Sequence, residues 1–167
     1  MKNLKNINGK VTNDLIHQLA VKNAATIYVG NRIKLPQGQY LGSIVGWTTT
    51  TNNGWNKVEI FFQLCDPDLD GEILSCFRNI HPLDEKPGPG GTFSYRKTQD
   101  LAMELATLFP DISNHKELSL DLLFGKTVEL KVETVIKNHA KKMRPESIQY
   151  SKVSEIIRIL EESNKKF

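Results

Sequence analysis

Cysteine is scarce in this chain: Cys65 and Cys76 are the only two among 167 residues. So few thiols exclude the disulfide framework on which small secreted domains depend. Both lie in strand-like runs and are expected to be buried, unpaired thiols. Histidine is also sparse. His17, His81, His115 and His139 stand at no metal-ligand spacing from one another or from a cysteine. No serine sits in a nucleophile elbow. The adjacent carboxylates, Asp66 with Asp68 and Glu161 with Glu162, read as turn and surface residues. The expectation is a protein that is not an enzyme and holds no metal or cofactor. No apolar run approaches the ~20 residues of a membrane span. Met1–Asn6 lacks the apolar stretch of a signal peptide. A cytoplasmic protein without a membrane partner is expected. A strong charge of either sign is also missing: 22 Lys and Arg against 19 Asp and Glu give +3. That balance permits a nucleic-acid partner without demanding one.

What is present is alternation. Val128, Leu130 and Val132 alternate with Glu129, Lys131 and Glu133, the pattern of a strand with one wet face. It runs into Lys137–Pro145, which carries four fixed positive charges and no acid. A strand ending in a flexible cationic loop points to a surface for a polyanion. Upstream, Tyr40–Trp47 reads as a strand and Thr48–Gly54 as a polar loop ending in the hairpin signal Asn-Gly. Trp55–Leu64 is the return strand, with Val58, Ile60 and Phe62 on one face and Glu59, Phe61 and Gln63 on the other. Ile73–Ile80 is the third strand of this meander. Ser94 or Thr98 is a candidate cap for a helix with the stripe Leu101, Leu105 and Leu108, ended by Pro110. Ser119–Phe124 reads as a short helix closed by Gly125. Two further helices are expected. One runs from about Thr12 to Asn23; the other carries Val153, Ile156, Ile157 and Leu160 at helical spacing.

Apolar residues make up 39% of the chain, enough for a core without staples. Three strands, a helix and two more strands is the order of an OB-fold. The fold class is therefore β-rich α+β: an OB-like five-stranded barrel with flanking helices. It occupies residues 26–163, between an N-terminal extension with a short helix (1–25) and a basic tail (164–167).

In an OB-fold the loop after strand one and the loop after strand four border one groove. Single strands bind there by stacking on aromatics and by phosphate contacts. Trp47, Trp55 and Tyr40 are the stacking candidates, with Phe61 on the central strand. Lys137, Lys141, Lys142 and Arg144 would meet phosphates, and Arg32, Lys34 and Lys57 would extend the path. Tryptophans at strand ends serve equally as core, and a lysine run equally as a solvated loop. Two other motifs fall away. Asp66–Gly71 resembles the start of a calcium loop, but the twelfth position is Phe77 in place of the bidentate Glu. Pro87–Gly91 lacks the Gly-Lys-Ser/Thr ending of a phosphate loop.

Leu35-Pro36-Gln37-Gly38-Gln39-Tyr40, the meander, the glycine-broken loop, the amphipathic helix and Leu123-Phe124-Gly125-Lys126 before Val128 and Val132 together form an ordered series. Over roughly residues 33–160 this series resembles the small OB-fold proteins of phages and mobile elements. Several of those are single-stranded-DNA-binding proteins of replication or recombination modules. The resemblance implies a non-catalytic partner of single-stranded DNA or RNA. The chain departs from it in two ways: it ends in the basic Ser163–Phe167 where many such proteins carry an acidic tail, and its central strands offer few aromatics. A protein-interaction module acting on a host or replication partner is the alternative. A homo-oligomer formed through the terminal helix or a sheet edge is compatible with either.

Overall fold

The computed structural model describes residues 32–69 and 71–160. The expected helix at 12–23 and the basic tail lie outside them. Five strands form one antiparallel sheet: β1 (Gly38–Asn52), β2 (Trp55–Leu64), β3 (Ile73–Asn79), β4 (Thr127–Val135) and β5 (Tyr150–Ile159), in the order β3-β2-β1-β4-β5. One α-helix, α1 (Asp100–Leu108), lies between β3 and β4 in the chain. The class is β-rich α+β. The sheet is open, with β3 and β5 at its edges and no ladder between them.

β1 is shared. Its first part pairs with β4 from Gly38 to Ser43, and its longer second part pairs with β2 from Gly42 to Asn52. At Gly42 both neighbours are present, and a Cβ there would lie 2.9 Å from Leu130 Cδ1 and 3.0 Å from the Gln63 carbonyl oxygen. Only glycine admits that approach. β1 also continues five residues beyond Trp47, so Thr48–Asn52 is strand where a polar loop was expected. Threonine favours strands, and only Asn53 (φ 50°) and Gly54 (φ 78°) form the turn.

One face of the sheet makes the core. Ile44, Val58, Ile60, Phe62, Leu64, Leu74, Cys76, Val128, Leu130, Val132, Val153 and Ile156 are buried there with Leu101 and Leu105 of α1. α1 is preceded by Gln99, with no side-chain cap from Ser94 or Thr98. The Gln99 Oε1 instead accepts from the Arg96 N–H at 2.7 Å. The expected short helix at 119–124 is a 3-10 turn, Leu120–Leu123, followed by Gly125 at φ 75°.

The expected terminal helix is a strand. β5 carries bulges against β4, seen as register shifts where Val132 faces Val153 but Leu130 faces Ile156, and Glu129 faces Arg158. Each bulge adds a residue, so the inward positions become Ser151, Val153, Ile156 and Ile159. Intervals of three imitate a helical stripe in a segment that is extended. The thiols also differ from expectation: Cys76 is buried, but Cys65 is exposed at the end of β2, and both are free. Burial pushes the Cys76 thiol up to about 12.

The edges β3 and β5 are tied by side chains. Arg78 of β3 donates to both carboxylate oxygens of Glu104 on α1, at 2.6 and 2.8 Å, and to the Ser154 carbonyl at 3.0 Å. Glu104 Oε1 in turn accepts from the Ile156 N–H at 3.3 Å. One ion pair from a strand and a helix thus meets backbone groups of the opposite edge, which lack a strand partner there.

Candidate nucleic-acid interface

The outward face of β2 carries Trp55, Lys57, Glu59, Phe61 and Gln63, opposite Asn79, Phe77, Ser75 and Ile73 of β3. These positions follow from strict alternation in a pair without bulges. Trp55 stands at the tip of the β1–β2 hairpin and is 65% exposed. Lys57 is half-buried beside it. Glu59 and Phe61 face outward but are only 8% and 2% exposed. Phe61 packs with Val45 and Ile73 in a small cluster apart from the main core. Glu59 accepts a hydrogen bond from Ser75 Oγ at 2.7 Å. Burial raises its pKa, while that hydrogen bond and the charge of Arg32 pull the other way.

Phe77 leads from this face to the cationic end. The Arg32 guanidinium lies 5.9 Å from the Phe77 ring centroid and 4.5 Å from that of Tyr150. The Arg144 guanidinium lies 5.4 Å from the same Tyr150 ring. An aromatic face attracts a cation, and the one Tyr150 ring has both arginines beside it. A cavity of about 560 Å³ opens here, lined by both arginines, Tyr150, His139 and Gln149. Lys34 joins it, donating from Nζ to Gln149 Oε1 at 3.1 Å, with Glu146 Oε1 at 3.7 Å.

The basic loop itself is a tight turn, not a floppy excursion. The Arg144 N–H donates to the Ile136 carbonyl, and Lys137 faces Met143 in an antiparallel bridge. The Asn138 N–H donates to the Lys142 carbonyl, and its side-chain oxygen accepts from the Lys142 N–H at 3.0 Å. Lys141 occupies the turn at φ 58°. Lys137, Lys141 and Lys142 are exposed.

Of the residues singled out in the sequence, the structure brings Arg32 and Arg144 together around Tyr150, with Lys34 at the neighbouring Gln149. Lys137, Lys141 and Lys142 stand on the adjoining turn, and Trp55 and Lys57 on the adjoining sheet face. Trp47 and Tyr40 are not on that surface. Trp47 pairs with Ile60 and Tyr40 with Leu130, both inward positions, and both side chains pack against the core. The cause at Trp47 is a bulge between Ile44 and Gly46, which switches the parity of β1. Its ring is held by a 3.1 Å hydrogen bond from Nε1 to the Gly91 carbonyl and by contacts with Phe93 and Phe124. Tyr150 and Phe77 were missed. Tyr150 follows the basic loop closely, but its role depends on Arg32, which is remote in sequence.

Among the described residues no group of three His, Cys, Asp or Glu side chains is placed to hold a metal ion, and no helix is long and apolar enough to cross a membrane. No protein-family model, curated protein or solved structure matches the chain.

Proposed function

We propose that this protein binds single-stranded nucleic acid, with DNA as the favoured form, and does so without catalysis. The observation that carries the reading is the pair of guanidiniums on Tyr150. Arg32 and Arg144 are held near one ring, beside three exposed lysines and an open cavity. Guanidiniums and ammoniums gathered at one opening offer a phosphate several charge-assisted hydrogen bonds. From there the outward face of β2 and β3 offers Phe77 and then Trp55 as stacking surfaces, with Lys57 next to Trp55 on the same face of β2. Alternating aromatics and cations suit an unpaired strand, whose bases are free to stack.

The strand order and the helix between β3 and β4 support an OB-like reading of the fold, in which the Arg78–Glu104 pair bridges the seam of the barrel. Such a barrel presents the β2–β3 face to oligonucleotides. The sequence resemblance to phage and mobile-element proteins adds replication or recombination as the setting.

One observation favours a protein partner instead. Met143 and Ile148 are 62% and 55% exposed on the same basic segment, and apolar side chains among cations also suit an acidic, partly apolar protein surface.

The test replaces Lys141, Lys142 and Arg144 together with alanine and follows a labelled poly-dT strand by fluorescence anisotropy across a salt series. Each phosphate contact on a single strand contributes about 0.7 to the slope of log affinity against log salt, so the slope should fall by roughly 2. A triple variant that binds as tightly as the parent, with the same slope, would place the phosphate contacts elsewhere.

A further inference from the structure

A second concavity, walled by three aromatic rings, lies away from the Arg32–Tyr150 surface. It is a cleft of about 540 Å³ between the glycine-rich loop at 88–95 and the turn at 115–121. That volume suits a small molecule. Its walls are Trp47, Phe93 and Tyr95, three rings in edge-on and tilted contact at 6.2 and 6.4 Å. Their orientations are fixed: Trp47 Nε1 donates to the Gly91 carbonyl and Tyr95 Oη to the Leu118 carbonyl. Gly91 keeps the loop close, because a Cβ there would fall 2.5 Å from Thr49 Oγ1. Rings locked in this way lose little freedom when a planar group slides against them.

The rim is polar and specific in character. Lys116 is exposed on the 3-10 turn His115–Glu117 and forms no ion pair with a described residue. The backbone of that turn is fixed by the Asn114 side chain, which accepts from the Lys116 N–H at 3.1 Å. His115 lies beside it, and Asp121 and Ser94 line the same opening. Aromatic walls, one unpaired ammonium and nearby acceptors match the three parts of a nucleotide: base, phosphate, and sugar or exocyclic donors.

We propose that this cleft is a second ligand site, which takes a nucleoside phosphate with its base against Trp47 and Phe93 and its phosphate at Lys116. The same chemistry is offered by a free nucleotide and by the phosphorylated end of a strand. The proposal does not rest on the binding surface around Tyr150.

The chain has only two tryptophans, which makes the test direct. In Trp55→Phe the remaining emission is that of Trp47. Deoxyadenosine monophosphate should quench it saturably. Lys116→Ala in the same background should weaken the effect about tenfold, the worth of one charged hydrogen bond. Unphosphorylated deoxyadenosine should weaken it to a similar degree. A 5′-phosphorylated oligonucleotide that acts at lower concentration than the free nucleotide would identify a strand end as the ligand, and the reverse order a free nucleotide. Trp47 emission unmoved by either probe would overturn the proposal. So would equal quenching by nucleotide and nucleoside that Lys116→Ala leaves unchanged. Both failures are independent of poly-dT binding read by anisotropy at the other surface.

Discussion

Trp47 and Trp55 belong to one hairpin, Trp47 midway along its ladder and Trp55 at its tip, and their surroundings are opposite. Trp47 is half-buried among Phe93, Phe124 and the Gly91 carbonyl. Trp55 is 65% exposed on the sheet's other face. In the sequence they look alike: each borders the threonine-rich stretch at an end of an alternating run. The bulge between Ile44 and Gly46 separates them, because one extra residue moves every later β1 side chain to the opposite face. The inner side of the sheet makes the main core, and the outer side is the one proposed to meet a strand. Substitutions on the two sides should therefore fail in different assays.

The largest effect should come from the side-chain tie between β3, α1 and β5. Arg78→Ala leaves the Glu104 carboxylate buried without its partner, which should destabilise the fold by about 3–5 kcal/mol in urea unfolding. Replacing both members with apolar residues of similar size should restore most of it. A near-neutral Arg78→Ala would mean that β3 and β5 are held by packing alone. Next, Trp47→Ala should reduce stability by about 3 kcal/mol, whereas Trp55→Ala should stay within about 0.5 kcal/mol. Equal effects would erase the distinction between the two faces. On strand binding the order should reverse. Trp55→Ala is expected to weaken poly-dT binding by about 1–3 kcal/mol, the range for loss of one base stack.

Glu59 sharpens the comparison from the other direction, since it faces outward and is nonetheless buried. Its folded-state pKa is raised, chiefly by burial, from 4.5. A raised pKa means that the fold favours the protonated form. That contribution is complete below 4.5 and is lost as pH climbs through the raised value. Stability should therefore decline over that window in the parent, and the decline should be absent in Glu59→Gln. Parallel pH profiles would show that the carboxylate is better solvated than its position implies.

Much of the sheet was legible because it rests on alternation. β2 spans Trp55–Leu64 as its pattern required, with Val58, Ile60 and Phe62 inward. β3 and β4 follow the same logic. The misreadings occur where local pattern and pairing diverge. The threonines at 48–51 looked like a loop because they are polar, yet a paired strand accommodates them, and Thr49 is buried with its hydroxyl near the Gly88 carbonyl at 3.3 Å. β5 looked helical because bulges space its inward residues by three. A bulge is a property of two strands, and no single run of residues announces it. The cationic cluster was legible in part. Lys137–Arg144 is continuous in sequence, whereas the meeting of Arg32 with Tyr150 is made by the fold.

The central claim is that the cationic turn and the outer face of β2 and β3 engage an unpaired strand. Fluorescence anisotropy of labelled poly-dT against the whole protein, at low and high salt and beside a duplex of equal length, tests it most directly. Binding should be saturable, favour the single strand and weaken steeply as salt rises. Flat curves at low salt, or equal affinity for the duplex, would contradict it.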